Sequence, residues 1–251
     1  MRAPVPRRPS ITSSAPPRPH PLLGPIVAEF MGTAFLLMGV VGSGIMAESL
    51  TDDVGLQLLQ NAFATAGVLV ALILALGSAS GAHFNPAVTL ADRYFGGIDT
   101  PTAVAYIGAQ ITGGIVGVMA ANIMFDLSVV DWSTKDRSAG HLAFAEFIAT
   151  LGLLLVIFGV VRSGRPSVAA FAVGGYIGGA YYFTSSTSFA NPAVTVARMF
   201  SDTFAGIEPA SVPGFIVAQL VGVGVAVLVV RAIYPRITDY ADQVIVPHND
   251  S

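Results

Sequence analysis

The tripeptide Asn-Pro-Ala occurs twice, at Asn85-Pro86-Ala87 and Asn191-Pro192-Ala193. Asparagine is a preferred helix N-cap, and proline suits the first helical position, where its missing N–H costs nothing. Each tripeptide therefore starts a helix. The first such helix, Pro86–Phe95, has ten residues, and at about 1.5 Å per residue it spans roughly 15 Å. That is half a bilayer. A half-helix entering from each face would bring two N-termini together near the centre. Their positive ends disfavour cations and protons, and the two asparagine amides can donate hydrogen bonds to the oxygen of a passing neutral solute. One copy would read as an ordinary helix cap; two copies at matching places point to a pore. Non-helical backbone at membrane depth is tolerated only inside protein or along a water-filled cavity. Residues 78–84 and 185–190 are expected to be that lining, with free carbonyls facing the pore.

The surrounding elements must sit in lipid. Of 251 residues 53% are hydrophobic and only 11% charged, with a mean hydropathy of +0.71, whereas soluble domains carry roughly 25% charged residues. Apolar stretches lie near 22–47, 57–77, 101–124, 141–161, 167–187 and 211–233. Each reaches the roughly 20 residues that a hydrocarbon core of about 30 Å requires. The fold class is thus an all-α membrane protein of six crossings plus two re-entrant half-helices, with a channel domain over 22–235.

Residues 1–21 carry seven prolines and four arginines but no apolar core of the kind a signal peptide needs. They read as a disordered tail that touches anionic lipid or helps set topology; 236–251 reads as a second tail. An even number of crossings puts both termini on one side. With that side cytoplasmic, Arg2, Arg7, Arg8, Arg18, Arg93, Arg162, Arg165, Arg231 and Arg236 lie inside, against Lys135, Arg137 and Arg198 outside. This follows the positive-inside bias of cell-membrane proteins.

Three words recur in the same order. Ala28–Phe30 matches Ala145–Phe147 (AEF), Asn85–Thr89 matches Asn191–Thr195 (NPAVT), and Ala109–Gly113 matches Ala218–Gly222 (AQ-x-x-G). The repeats cover about 22–124 and 141–233. Each holds three crossings, so the second enters from the opposite side: an inverted repeat whose natural site is the membrane midplane. Gly113 with Gly117, and Gly175 with Gly179, sit four apart and would let helix backbones approach closely.

Glu29 and Glu146 are acids within spans, which makes each a functional-site candidate by default. One reading is a proton relay. The other is that each accepts hydrogen bonds from exposed N–H groups of a re-entrant loop, as their equivalent places in the repeats favour. His83 is expected to give pore-facing backbone while its ring packs.

These residues closely resemble the major intrinsic protein family, the aquaporins and aquaglyceroporins. The resemblance covers about 22–235 and includes AEF-x-GT at Ala28–Thr33 and SGAHFNPAVT at Ser80–Thr89. It implies six tilted helices, two half-helices, one pore per subunit, a homotetramer, and a bracing role for Glu29 and Glu146. Family members usually place an arginine directly after the second Asn-Pro-Ala, in a constriction outward of the asparagines; here Val194 stands there. Counting without gaps from the asparagines puts the other filter positions at Thr65, Gly179 and Ser188. This filter would hold no aromatic, histidine or charge, and so would be wide and arginine-free. Arg198, one turn beyond Val194, is close enough in sequence to replace part of the missing charge, but is expected to pack or pair elsewhere. With valine in place of arginine, Ser188–Thr195 resembles bacterial members associated with arsenic-resistance gene clusters.

The function expected is a passive channel for water, glycerol-like polyols, urea or hydroxylated metalloids such as arsenite. An alternating-access transporter and a scaffold with a closed pore are the alternatives; a transporter would need ion-coupling residues at the midplane. No nucleophile–base pair, phosphate loop or metal-ligand spacing argues for an enzyme or a cofactor. The absence of cysteine excludes disulfides and thiolate metal sites, and His20, His83, His141 and His248 are too scattered for a metal cage. A net charge of −3 gives no reason to expect nucleic acid.

Overall fold

The computed structural model describes residues 22–235. The two expected tails, 1–21 and 236–251, lie outside the described residues, as do His20, His248 and the arginines at 2, 7, 8, 18 and 236. The chain forms α1 (Leu23–Leu50), α2 (Val54–Ser80), α3 (Pro86–Phe95), α4 (Thr100–Met124), α5 (Gly140–Arg162), α6 (Ala169–Phe183), α7 (Pro192–Ala197) and α8 (Val212–Ile233). The long helices α1, α2, α4, α5, α6 and α8 make a bundle that encloses the half-helices α3 and α7.

Five of the six are long and apolar enough to cross a membrane. The exception is α6, expected to run through 187 but ending at Phe183 after 15 residues. Thr184 Oγ1 turns back on the Ala180 carbonyl at 2.6 Å, and the chain then unwinds into the second re-entrant loop. A short 3-10 turn, Pro166–Val168, precedes α6.

The first repeat packs α1 on α2 and α4; the second packs α5 on α6 and α8. On α4 the expected close approach is present. A Cβ on Gly113 would stand 2.3 Å from the Phe30 carbonyl oxygen, and one on Gly117 2.2 Å from that of Ala34, so only glycine lets α4 lie this close to α1. On α6 the expectation is one residue out of register. Gly175 and Gly179 have nothing within 4 Å of a Cβ, whereas a Cβ on Gly174 would stand 2.5 Å from Val70 and one on Gly178 3.2 Å from Ala66. The α2–α6 contact therefore runs through Gly174 and Gly178, and Gly175 and Gly179 are exposed.

Candidate functional site

Asn85 caps α3 by accepting the Ala87 amide at 2.8 Å, and Asn191 caps α7 by accepting the Ala193 amide at 3.0 Å. Their side-chain amides cross over. Asn85 Nδ2 donates to the Ala190 carbonyl at 2.8 Å, and Asn191 Nδ2 to the Phe84 carbonyl at 2.8 Å. Each half-helix start is thus tied to the loop that leads into the other. The loops take left-handed backbone at matching positions, Ala82 and Phe84 in one, Ser188 and Ala190 in the other, all with φ between 47° and 52°. Such conformations cost of order 1–3 kcal/mol per non-glycine residue, so something must hold them.

The two glutamates are placed to do so. Glu29 accepts from Ser80 Oγ (2.6 Å), the amides of His83 (2.9 Å) and Phe84 (2.7 Å), and Gln110 Nε2 (2.7 Å). Glu146 accepts from the amides of Phe189 and Ala190, both at 2.8 Å, and from Gln219 Nε2 at 2.6 Å. Both carboxylates are fully buried. Bonds to an ionised acceptor are the stronger kind and offset its desolvation.

The glutamines come from the repeated AQ-x-x-G word, to which sequence reasoning assigned no role. Each donates a second bond, Gln110 to Thr89 Oγ1 and Gln219 to Thr195 Oγ1, both 2.9 Å. The threonines in turn bond the Asn85 and Asn191 carbonyls at 3.0 and 2.9 Å. A repeated word carrying an amide beside a buried acid was the signal available for finding this network.

One cavity runs past both asparagines and is lined from both repeats: Leu36 and Val40 of α1, Leu153 and Ile157 of α5, Thr65, Leu69 and Ile73 of α2, Val173, Ile177 and Tyr181 of α6, then loop and half-helix residues. Thr65, Ser188 and Val194 are on it; Gly179 is not. Gly179 lies on the exposed side of α6, and Tyr181 takes the expected place, its hydroxyl 3.1 Å from Thr65 Oγ1. The gap-free count missed at Gly179 because α6 meets α2 through Gly174 and Gly178, which turns Gly179 away from the cavity. Ile73 faces the cavity twelve residues before Asn85, while Tyr181 does so ten before Asn191. The run Val173, Ile177, Tyr181 at steps of four, set against glycines at 175 and 179, was the readable signal.

A second difference concerns Arg198. Expected to pack elsewhere, it lines the same cavity, and it begins a 3-10 turn, Arg198–Phe200, that ends α7 after only six residues. The half-helix α7 runs away from the midplane, so Arg198 lies one turn nearer the mouth than Val194, on the side away from the described ends of the chain (here the distal side). The distal mouth is built by 125–139 and 198–211, joined by the Asp131 and Ser133 amides donating to the Phe200 and Met199 carbonyls at 3.1 and 3.0 Å. Arg137 anchors it through Nε to the Gly206 carbonyl (2.9 Å) and Nη1 to that of Ser186 (3.2 Å); burial pushes its guanidinium down to about 10, still charged at neutral pH.

At the proximal end His83 lines the cavity with its ring edge-on to Tyr106. Its Nδ1 lies 3.1 Å from Thr89 Oγ1 and its Nε2 3.4 Å from Asp92.

Residues 18–177 match the major intrinsic protein family. The chain is 46% identical over 205 residues to "Aquaglyceroporin AqpS" of Rhizobium meliloti, covering 82% of this chain and 88% of that protein. It is 33% identical over 172 residues to aquaporin NIP6-1 of Arabidopsis thaliana, covering 67% and 55%. The fold is similar to that of the aquaglyceroporin from Plasmodium falciparum, with a TM-score of 0.64 at 21% identity over 86% of this chain and 99% of that one. With its paired half-helices and a cavity running past both of them, this chain belongs to the major intrinsic protein family, and is a multi-pass membrane channel for small neutral solutes rather than an enzyme.

Proposed function

We propose that the chain is a passive pore for neutral hydroxylated solutes larger than water, namely glycerol-like polyols, urea and hydroxylated metalloids such as arsenite, with water passing as well. The observation that carries this reading is Val194. It lines the cavity directly after the second Asn-Pro-Ala, where a large cation would otherwise occupy the lumen.

The filter is Thr65, Ser188 and Val194, with Tyr181 in place of Gly179. Against the expectation of a filter without aromatics, Tyr181 brings a ring to it, so the width rests on Val194; none of the four is charged, and three carry hydroxyls that can exchange hydrogen bonds with a polyol. Asn85 and Asn191, fixed by their prolines and by Ala87 and Ala193, form the midplane site, and Glu29 and Glu146 brace the loops that lead to it. The 46% identical relative bears the name aquaglyceroporin, which supports a solute wider than water. Family membership supports a homotetramer, and the arginine bias supports cytoplasmic termini.

The test is stopped-flow shrinkage and uptake in proteoliposomes, comparing water, glycerol and arsenite. Flux linear in the gradient, of low activation energy and independent of a proton gradient, is expected for all three. Saturable, proton-driven accumulation would make the protein a transporter instead. Water flux alone would sink the wide-filter reading.

A further inference from the structure

The cavity holds a cation that the four filter positions do not account for. Arg198 is 2% exposed and seven residues beyond Asn191. Its guanidinium carbon sits 3.4 Å from the centroid of the Phe189 ring, and its Nε donates to the Ala205 carbonyl. Among the described residues no carboxylate pairs with it, and neither terminal nitrogen has a protein hydrogen-bond partner. Those nitrogens are not sealed off from the cavity either.

A buried charge without an anion is costly. A ring face and one carbonyl offset that cost only in part, since a cation–π contact contributes about 0.5–2 kcal/mol. Up to four N–H donors therefore remain for whatever occupies the lumen. Ser188 points the same way: its buried Oγ has no hydrogen-bond partner although the residue lines the cavity. Phe189 is held from a second direction by Arg137, 5.0 Å from the ring centroid, so the platform beneath the guanidinium is fixed.

We propose that Arg198 is a specificity-determining residue of this pore, supplying from one turn beyond Val194 the positive charge and donor fork that the filter ring lacks. This rests on the channel reading above. Set back toward the distal mouth, it leaves the lumen at Val194 wide while rejecting cations. It offers donors to the oxygens of a neutral polyhydroxylated solute, in the cavity that Ser188 also lines. The Coulomb repulsion it exerts is strong because the site is walled by protein.

The experiment compares wild type, Arg198→Gln, Arg198→Lys and the double variant Val194→Arg/Arg198→Val in proteoliposomes. It measures cation leak with a potential-sensitive dye, glycerol and water flux by stopped flow, and thermal stability in detergent. Arg198→Gln keeps an amide donor but loses the charge; its cation leak should rise about tenfold, and its glycerol-to-water ratio should change. Arg198→Lys should keep the leak within about twofold of wild type. Moving the charge to 194 should restore cation exclusion while lowering glycerol flux.

If Arg198 only pins Ala205, the Gln and Lys variants will lose stability alike, with no change in leak or ratio in the protein that remains folded. That result overturns the proposal while passive wild-type flux leaves the channel reading standing. Proton-driven accumulation by the wild type overturns both.

Discussion

The two halves of the pore share one scaffold and differ in what they put on it. At the distal end the cavity is faced by Thr65, Tyr181, Ser188 and Val194; their counterparts in the inverted repeat, facing the proximal end, are Val173, Ile73, Ala82 and Val88. Three hydroxyls on one side answer three hydrocarbons on the other. The same holds beside the asparagines. His83 with Asp92 in the first repeat occupies the places of Phe189 with Arg198 in the second, so a histidine–carboxylate contact is matched by a cation on an aromatic face.

What the repeats keep identical is the frame: Glu–Gln–Thr–Asn networks whose distances agree within about 0.1 Å for Gln to Thr and Thr to Asn. Duplication conserved the parts that hold two strained loops at the midplane and left the lining to diverge. On the proposed reading, discrimination therefore belongs to the distal half.

Breaking the frame should have the largest effect and should strike both halves. Glu29→Ala strands four donors and Glu146→Ala three. Leaving buried donors unsatisfied costs about 1–3 kcal/mol each, so both variants should unfold at markedly lower temperature in detergent, Glu29→Ala the more so. Equal stability to wild type would mean that water replaces the carboxylates and that the loops hold themselves.

Next comes the junction between the halves. Asn191→Asp puts a negative charge where two helix N-termini converge and removes the donor to the Phe84 carbonyl. The barrier to cations should fall by an order of magnitude or more in conductance, read as dye-detected leak. An unchanged leak in folded protein would reduce this asparagine to a helix cap.

The smallest effects sharpen the assignment of the distal ring. Tyr181→Ala removes the hydroxyl on Thr65 and a ring from the lumen, and should raise glycerol flux several-fold relative to water. Gly179→Ala, two residues earlier on the exposed side of α6, should leave the ratio unchanged and stabilise the helix by at most about 1 kcal/mol. The reverse result would restore the gap-free placement.

Much of this was legible in the sequence because the determinants are local. Asn-Pro-Ala encodes its own cap, and Pro86–Phe95 begins and ends where asparagine and Gly96 dictate. The long apolar runs encode spans, and paired acids at equivalent places announce a shared structural role. What escaped depends on how distant segments pack. Which face of α6 meets the cavity is set by Gly174 and Gly178 against α2, and no count along the chain reveals that rotation. Arg198 was misplaced for a different reason: four residues beyond Val194, with its amide still bonded to the Val194 carbonyl, it keeps Val194's face of the half-helix, and its place on the cavity follows from that register. The AQ-x-x-G word was seen as a repeat, but its glutamine gains meaning only once α4 and α8 set it against Glu29 and Glu146.

The central claim, that the distal ring decides what passes and that Val194 keeps it wide, is tested most directly by Val194→Arg. A guanidinium at this place should narrow the lumen beside Thr65, Tyr181 and Ser188 without closing it, and should favour compact polar solutes. The measurement is the ratio of glycerol to water flux on one vesicle preparation, by stopped-flow light scattering, which is insensitive to modest changes in the amount of protein. The account predicts a fall of at least several-fold, with water flux reduced less. A ratio that stays the same or rises would place the narrowest point elsewhere and contradict the claim.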